Sequence, residues 1–249
     1  MARINFLNTE IDNLTMEEVL VEIENLIQRR EKSYVVTPNL DHIVLLEKDA
    51  EFAKVYKEAD LIVADGKPLI WISKWLRNPI KEKISGSDLF PQMCGMAADK
   101  GYTIFILGAA QGIAEKAAAN LEFKYPGVKF VGTYSPKYGF EKMQDELDHI
   151  KECILQSKPD ILAVSLGSPK GEKFIFRHLE EYGVPLSISI GATIDFESGN
   201  IQRAPKWMSE CGLEWLYRTI KEPRRLAKRY FVDAISIVPI VFKYKSKKK

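Results

Sequence analysis

The sequence predicts an α/β protein: a Rossmann-like, mostly parallel sheet of about six strands with helices on both faces, followed by a helical, basic C-terminal appendage. Three observations predict it. Six short apolar runs, at 34–36, 61–64, 102–107, 128–131, 160–166 and 186–190, alternate with segments of helical period, the pattern of a parallel sheet covered on both sides. Polar and Gly-rich stretches follow those runs, as loops at strand ends do. Past residue 199 the chain changes from an acidic body to a basic segment rich in Trp and Tyr. The expected division is therefore 1–199, an α/β domain, and 200–249, the appendage.

Taken in order, Arg3 to Ile11 has the length of a small hairpin. Thr15 and Glu18 form a capping box, and Met16, Val19, Leu20, Ile23, Leu26 and Ile27 then recur at helical spacing. Tyr34 to Val36 reads as a buried strand that breaks at Thr37-Pro38-Asn39, with helical spacing resuming through Ile43, Leu46 and Phe52. Leu61 to Ala64 is the next strand, ending at Asp65-Gly66. Gly66 permits a tight turn, and Pro68 suits the first turn of the helix that follows. Trp71 and Trp75 lie one turn apart on that helix, and core packing is their expected role. Lys81 to Ser87 is a loop, with Ser87 or Asp88 as the cap of a helix reaching towards Lys100. Tyr102 to Leu107, Val128 to Val131, Asp160 to Leu166 and Leu186 to Ile190 supply the remaining strands. Gly132 to Pro136 is expected as a loop and Phe140 to Ser157 as one helix.

Charge and cysteine content narrow the classes. The net charge of +2 conceals an asymmetry: residues 206–249 hold twelve Lys/Arg against four Asp/Glu, a balance of +8, so the preceding 205 residues carry −6. A basic tail on an acidic body calls for an anionic partner. Cys94, Cys153 and Cys211 are few and scattered, against a disulfide framework or a clustered zinc site. No run reaches the roughly 18 apolar residues of a membrane span, and the first ten residues lack the apolar core of a signal peptide. The expected location is cytoplasmic, peripheral on the membrane face.

The loops expected to carry chemistry are Thr37 to Asn39, Asp65-Gly66, Gly108 to Gly112, Gly167 to Glu172 and Gly191 to Asp195. Parallel strands place them on one sheet edge, where α/β proteins bind ligands. Glycines let backbone N–H groups approach a phosphate, and the following helix N-termini favour anions. Neither Gly loop fits G-x-G-x-x-G or G-x-x-x-x-G-K-[ST], which weakens a nucleotide-linked oxidoreductase. There is no H-E-x-x-H, no Cys-x-x-Cys, no G-x-S-x-G and no Asp-x-Asp. His42, His149 and His178 sit in expected helices and are assigned structural roles. Asp65 alone has four readings: general base, ribose ligand, helix cap or solvated loop residue. Arg203, in a polar loop before Pro205, is placed to pair with a phosphate or with the acidic surface of the body. The basic run Arg218, Lys221, Arg224, Arg225, Lys228 and Arg229 reads either as a solvated helical face or, because Trp215, Tyr217, Tyr230 and Phe231 are interleaved with it, as a membrane-interface or lipid-headgroup surface. The Lys243 to Lys249 cluster adds attraction to anionic lipid of about 1 kcal/mol per residue near the surface.

Seven motifs together resemble one family: Val-Val-Thr-Pro-Asn-Leu-Asp-His (35–42), Ala-Asp-Leu-Ile-Val-Ala-Asp-Gly-Lys-Pro-Leu (59–69), Ser-Gly-Ser-Asp-Leu (85–89), Leu-Gly-Ser-Pro-Lys-Gly-Glu-Lys (166–173), Gly-Ala-Thr-Ile-Asp-Phe (191–196), Arg-Ala-Pro-Lys-Trp-Met (203–208) and Glu-Trp-Leu-Tyr-Arg (214–218). In order and over nearly the whole chain, they resemble the WecG/TagA/CpsF glycosyltransferases, most of all the TagA branch. The resemblance implies transfer of N-acetylmannosamine from its UDP donor to N-acetylglucosamine on undecaprenyl diphosphate. The linkage implied is β-1,4, formed with inversion, in wall teichoic acid linkage-unit synthesis. It also implies no metal and no other cofactor, a homo-oligomer, and an appendage that docks on the anionic membrane; nucleic acid is not an expected partner.

On that resemblance Asp65 is the catalytic base, with Thr37 and Asn39 holding the acceptor sugar or the base. Gly108, Ala109, Gly167, Pro169, Lys170, Glu172 and Asp195 are expected to bind the nucleotide sugar. Lys83, Arg203, Arg218 and Arg224 are expected at the diphosphates. Two positions depart from the family pattern: Lys83 stands where Arg is usual, and Gly171 where Gln is usual. Lys keeps the charge but loses the bidentate fork. Two alternatives stay open, a different UDP-sugar donor and a non-catalytic nucleotide-binding module that recruits partners to the membrane.

Overall fold

A computed structural model describes residues 3–246. Its contacts divide the chain into two compact units, one built from 1–15, 37–85 and 202–249, the other from 16–36 and 86–201. The last three lysines of the terminal cluster lie outside the described residues.

The first unit opens with the expected hairpin, β1 (Arg3–Phe6) and β2 (Thr9–Asp12), paired antiparallel. It continues through helices α2 (Leu40–Leu46) and α3 (Ala50–Lys57), strand β4 (Leu61–Ile62) and helix α4 (Lys67–Trp75). The single helix expected beyond Asn39 is two. The chain breaks at Lys48-Asp49, and Asp49 caps α3 by accepting from the Phe52 amide at 3.0 Å, a competing turn chemistry that periodicity cannot register. The appendage segment supplies α10 (Lys206–Glu210), α11 (Glu214–Lys221) and the long α12 (Pro223–Ser246). α12 lies along α2 and buries Leu226, Asp233, Ile237, Ile240 and Val241.

The second unit holds α1 (Met16–Arg29), β3 (Ser33–Val36), α5 (Gly86–Lys100), β5 (Thr103–Gly108), α6 (Ile113–Lys124), β6 (Lys129–Tyr134), α7 (Gln144–Ser157), β7 (Ile161–Ser165), α8 (Lys170–Tyr182), β8 (Leu186–Ser189) and α9 (Thr193–Glu197). The strands β3-β8-β7-β5-β6 of this unit pair in parallel register. β3, β7 and β8 are buried along their whole length, which restricts them to apolar residues, the tyrosine of β3 and small serines. Edge strand β6 differs from expectation. It extends through Gly132, Thr133 and Tyr134, because a half-exposed edge tolerates the polar residues that read as a loop. The expected 140–157 helix begins instead as a 3-10 turn at Phe140–Lys142, and α7 starts at Gln144. Helix α5 starts at Gly86, so Ser87 and Asp88 lie in its first turn and are not its cap.

One buried carboxylate organises the first unit. Asp12 is 2% exposed and accepts from Arg3 Nε and Nη2, both at 2.9 Å, and from the Ile62 amide at 2.9 Å. Arg3 also donates to the Asp60 carbonyl at 2.9 Å. The hairpin is thereby pinned to both sides of β4. Asp12→Ala leaves the Arg3 guanidinium and the Ile62 amide without their acceptor, and a broken buried pair of this kind costs about 3 kcal/mol or more. Urea denaturation should show a loss of that order, with Asp12→Asn recovering only part of it.

Candidate active site

In the first unit the site is built at the end of β4. Val63 and Ala64 stay buried and extended past the strand. The Asp65 amide then donates to the Pro38 carbonyl at 2.8 Å, and the Ile84 amide donates to the Ala64 carbonyl at 2.8 Å. Two neighbouring segments, 37–39 and 83–85, are therefore tied by backbone bonds to the segment that carries Asp65. Asp65 itself is half-buried. Gly66 takes φ +98° and precedes α4, with Pro68 in its first turn, as the local sequence requires.

Thr37 is buried at 8% exposure. Asn39 caps α2: its Oδ1 accepts from the His42 amide at 3.2 Å. The cap commits the Asn39 carbonyl oxygen to the helix, so its amide hydrogens are what it offers a ligand. Lys83 is half-buried and donates to Ser85 Oγ at 3.4 Å. The turn after α10 sits on α4, since a Cβ at Gly212 would come within 2.9 Å of Lys67 Cβ and the Trp71 ring. Arg203 precedes α10, Arg218 lies in the last turn of α11, and Arg224 is exposed in the first turn of α12.

In the second unit the nucleotide candidates converge on the carboxyl ends of three adjacent strands, β5, β7 and β8. Gly108, at φ +112°, passes so close to β7 that a Cβ would stand 2.3 Å from the Ser165 carbonyl oxygen, so only Gly fits. The Ala109 amide then bonds that same oxygen at 2.9 Å. Gly167 and Pro169 end β7, and Ser165 Oγ donates to the Gly191 carbonyl at 2.6 Å, joining the β7 and β8 loops. Lys170 opens α8 and pairs with Glu141 at 2.5 Å, its ammonium 5.6 Å from the Phe140 ring centre and 5.8 Å from that of Tyr138. The Lys170 bond holds the Glu141 carboxyl below its ordinary range. Asp195 lies in the first turn of α9 and accepts from Asn200 Nδ2 at 3.1 Å.

Glu172 is 4% exposed and accepts from Ser189 Oγ at 3.2 Å. The same hydroxyl explains the departure at Gly171, where a Cβ would lie 2.8 Å from Ser189 Oγ. A side chain at 171 would require the Ser189 hydroxyl to turn away from Glu172.

The β6 loop is a part of this edge that the sequence reasoning missed. Ser135 Oγ donates to the carbonyls of Gly108 at 3.4 Å and Ala110 at 3.3 Å. Glu146 anchors the loop from α7, accepting from Tyr134 OH at 2.8 Å and the Lys137 amide at 3.1 Å. Those bonds hold its carboxyl down to about 2. The signal lies in Ser135, Tyr138 and Lys170, but the loop-like composition of Gly132 to Tyr134 hides the register that brings them to this edge.

The three histidines are in helices as expected. His42 is buried with Nδ1 2.6 Å from Tyr56 OH, and burial together with Arg229 lowers its pKa to about 3. The tryptophan expectation is corrected: Trp71 and Trp75 are about half exposed, not core.

These features describe an α/β enzyme that gathers glycine loops and helix N-termini at one sheet edge, and comparison with known proteins makes the class definite. The chain belongs to the glycosyl transferase WecG/TagA/CpsF family, whose model matches residues 4–249. A curated relative from Bacillus subtilis (strain 168), N-acetylglucosaminyldiphosphoundecaprenol N-acetyl-beta-D-mannosaminyltransferase, is 31% identical over 202 residues, 81% of this chain and 77% of its own. A protein of the same name from Staphylococcus aureus (strain MW2) is 26% identical over 229 residues, 91% of this chain and 88% of its own.

Asp233 gives the first unit a pH signature. It is 3% exposed on α12. Burial, and then the Asp41 carboxylate on α2, push it up to about 6, against Arg229 and Lys48, which pull it down. A raised carboxyl pKa means the folded state holds a proton that the unfolded chain releases near 4, so stability falls as pH rises from about 4 to 6 and stays low above. Asp233→Asn should raise the melting temperature at pH 7.5, with the gain shrinking towards pH 4; thermal melts across that range read it directly.

Proposed function

We propose that the chain transfers N-acetylmannosamine from UDP-N-acetylmannosamine to N-acetylglucosamine on undecaprenyl diphosphate, forming a β-1,4 link with inversion and without metal. The observation that carries the proposal is Asp65, a half-buried carboxylate fixed by backbone bonds beside Thr37-Pro38-Asn39 at a strand end, in a member of a glycosyl transferase family. The relatives' names supply the sugar and the acceptor. Together these favour a single displacement.

In that reaction the acceptor 4-hydroxyl oxygen attacks the anomeric carbon from the face opposite UDP. The new C–O bond forms as the sugar–phosphate C–O bond breaks, and its electron pair leaves with UDP. The hydroxyl proton passes to the Asp65 carboxylate, which is the general base. Thr37 and the Asn39 amide hydrogens orient the acceptor or the base. UDP lies on the loops after β5, β7 and β8, with backbone amides near Gly108, Ala109 and Gly167 and the first turn of α8 facing the diphosphate. Pro169 shapes the turn, Lys170 supplies charge once released from Glu141, Glu172 holds the loop through Ser189, and Asp195 serves the ribose or uracil. Leaving-group and lipid-diphosphate charge falls to Lys83, Arg203, Arg218 and Arg224.

A lipid-linked acceptor fits a peripheral protein docked through the basic appendage on anionic lipid, and a homo-oligomer in solution completes the proposal. No described helix is long and apolar enough to cross a membrane. A second reading, the same chemistry on a different UDP-sugar, is favoured by one feature: Gly171 with Ser189 and Glu172 fills the place where the family pattern puts Gln.

The test is turnover of UDP-N-acetylmannosamine with a short-chain lipid-diphosphate acceptor in EDTA. Asp65→Asn should lower the rate by about 10²–10⁴-fold while UDP binding is kept. Equal rates would remove Asp65 from the chemistry. Tight UDP-sugar binding without turnover in either protein would favour the recruitment module, and turnover of another UDP-sugar alone would favour the second reading.

A further inference from the structure

α12 is apolar on two sides. One side, Leu226, Ile237, Ile240 and Val241, is buried, with the helix packed along α2. The other recurs at 231, 235, 238 and 242, a single helical face, and is exposed: Phe231 is 68% exposed, Ile235 58%, Val238 50% and Phe242 59%. That face does not end with its own helix. Phe242 meets Trp75 of α4 edge to face at 5.9 Å between ring centres. Trp75 and Trp71, one turn apart, are 49% and 52% exposed. Two helices from distant parts of the sequence thus present one aromatic and aliphatic surface.

The rim of that surface is cationic. The Lys245 ammonium stands 3.7 Å over the Trp75 ring centre. Lys74 is exposed between the two tryptophans in sequence, and Lys243 is exposed and paired to Glu47 at 2.5 Å. A half-exposed indole ring beside ammonium groups is the composition of a bilayer interface, where the ring takes the headgroup level and the charge takes anionic lipid. A second copy of the chain is the poorer occupant. A two-fold contact sets the same patch against itself, and here it would oppose like charges around the apolar centre.

We propose that α4 is a second lipid-contacting element, and that Trp71 and Trp75 enter an anionic bilayer surface together with the outer face of α12. The inference rests on the peripheral-membrane reading above and adds to it an element of the α/β body outside the basic tail. Its consequence follows from helix geometry. α4 begins two residues after Asp65, and at 1.5 Å per residue Trp71 lies about 9 Å and Trp75 about 15 Å along the chain from it. Seating α4 in the interface sets the height of Asp65 above the lipid, where the sugar of a lipid diphosphate stands. Trp71 and Trp75 are positioning residues in this scheme.

The experiment uses the full chain with Trp207→Phe and Trp215→Phe, which leaves Trp71 and Trp75 as the emitters. Its vesicles are phosphatidylglycerol with and without brominated acyl chains. Bound protein should show a blue shift and strong quenching by the brominated lipid. Trp75→Glu should weaken vesicle binding by about tenfold or more and lower turnover on a long-chain acceptor in vesicles, while turnover on a water-soluble short-chain acceptor is kept. Vesicle binding without quenching would overturn the role of α4 and leave the membrane reading standing. No vesicle binding by the natural chain would overturn both. A concentration-dependent dimer that shields the two rings from an aqueous quencher would assign the face to a second copy, and would likewise overturn the proposal.

Discussion

The site end of β4 depends on a carboxylate at the other end of the sequence segment. β4 is two residues long, far short of the strand length that ladder bonds alone can hold. Asp12 supplies what the ladder lacks. It takes the Ile62 amide directly and, through Arg3, the carbonyl of Asp60. The hairpin extends the same function with two asparagines. Asn8 donates to the Ile43 carbonyl of α2 at 2.9 Å, while Asn13 accepts from the Lys81 amide at 2.8 Å and donates to the Pro79 carbonyl at 3.2 Å. A four-residue-per-strand hairpin is marginal alone, yet here it fixes three segments. These are α2, whose cap is Asn39, the residues before Asp65, and the loop that leads to Lys83. Precision at Asp65 is therefore a property of side chain to backbone bonds, and it survives only while Asp12 keeps its partners.

The second unit obtains its precision differently. β5 and β7 approach at Gly108 until a single methyl group would collide with the Ser165 carbonyl. That closeness lets the Ala109 amide reach the same oxygen. Ser165 in turn reaches the β8 loop, and Ser135 reaches back to the β5 loop. Each strand end is bonded to its neighbour, so the loops form one edge of fixed shape with backbone amides and α8's first turn along it. Beneath it, Ser189 and Glu172 are buried and bonded to each other. Buried polar groups are tolerated only when paired, so the loss of a side chain at Gly171 and the hydroxyl at Ser189 are one arrangement and not two separate departures.

Most of the fold was legible because burial dictates composition. β3, β7 and β8 are buried end to end, and nothing but apolar or small residues fits there. Asp65-Gly66-Lys67-Pro68 was legible for a local reason, since Gly66 takes a positive φ and Pro68 suits a first turn. What escaped was set by tertiary surroundings. Half-exposed β6 carries polar residues that no period marks as strand. The α2–α3 break comes from a side-chain cap at Asp49. Trp71 and Trp75 have the spacing of a core stripe, yet about half of each side chain stays exposed, a matter of tertiary surroundings and not of spacing. Asp233 read only as an interruption in an apolar run, whereas it is buried beside Asp41.

That last residue bears on why the appendage is built as it is. A helix meant simply to be stapled to α2 would bury Leu or Ile at 233. Instead α12 buries a carboxyl group in sight of a second one, which weakens its seat at neutral pH. It also leaves its opposite face apolar and open, which a helix at home only in water avoids. Both features cost stability in the isolated chain, and under the proposed docking both would lose their cost at an anionic surface. There the open face is covered, and the locally lowered pH that accompanies a negative surface potential favours the protonated carboxyl. The same helix adjoins α2, and so sits one cap away from Asn39 and one backbone bond further from Asp65. The physical route from surface to site is thus short, and it runs through groups that are already on one unit.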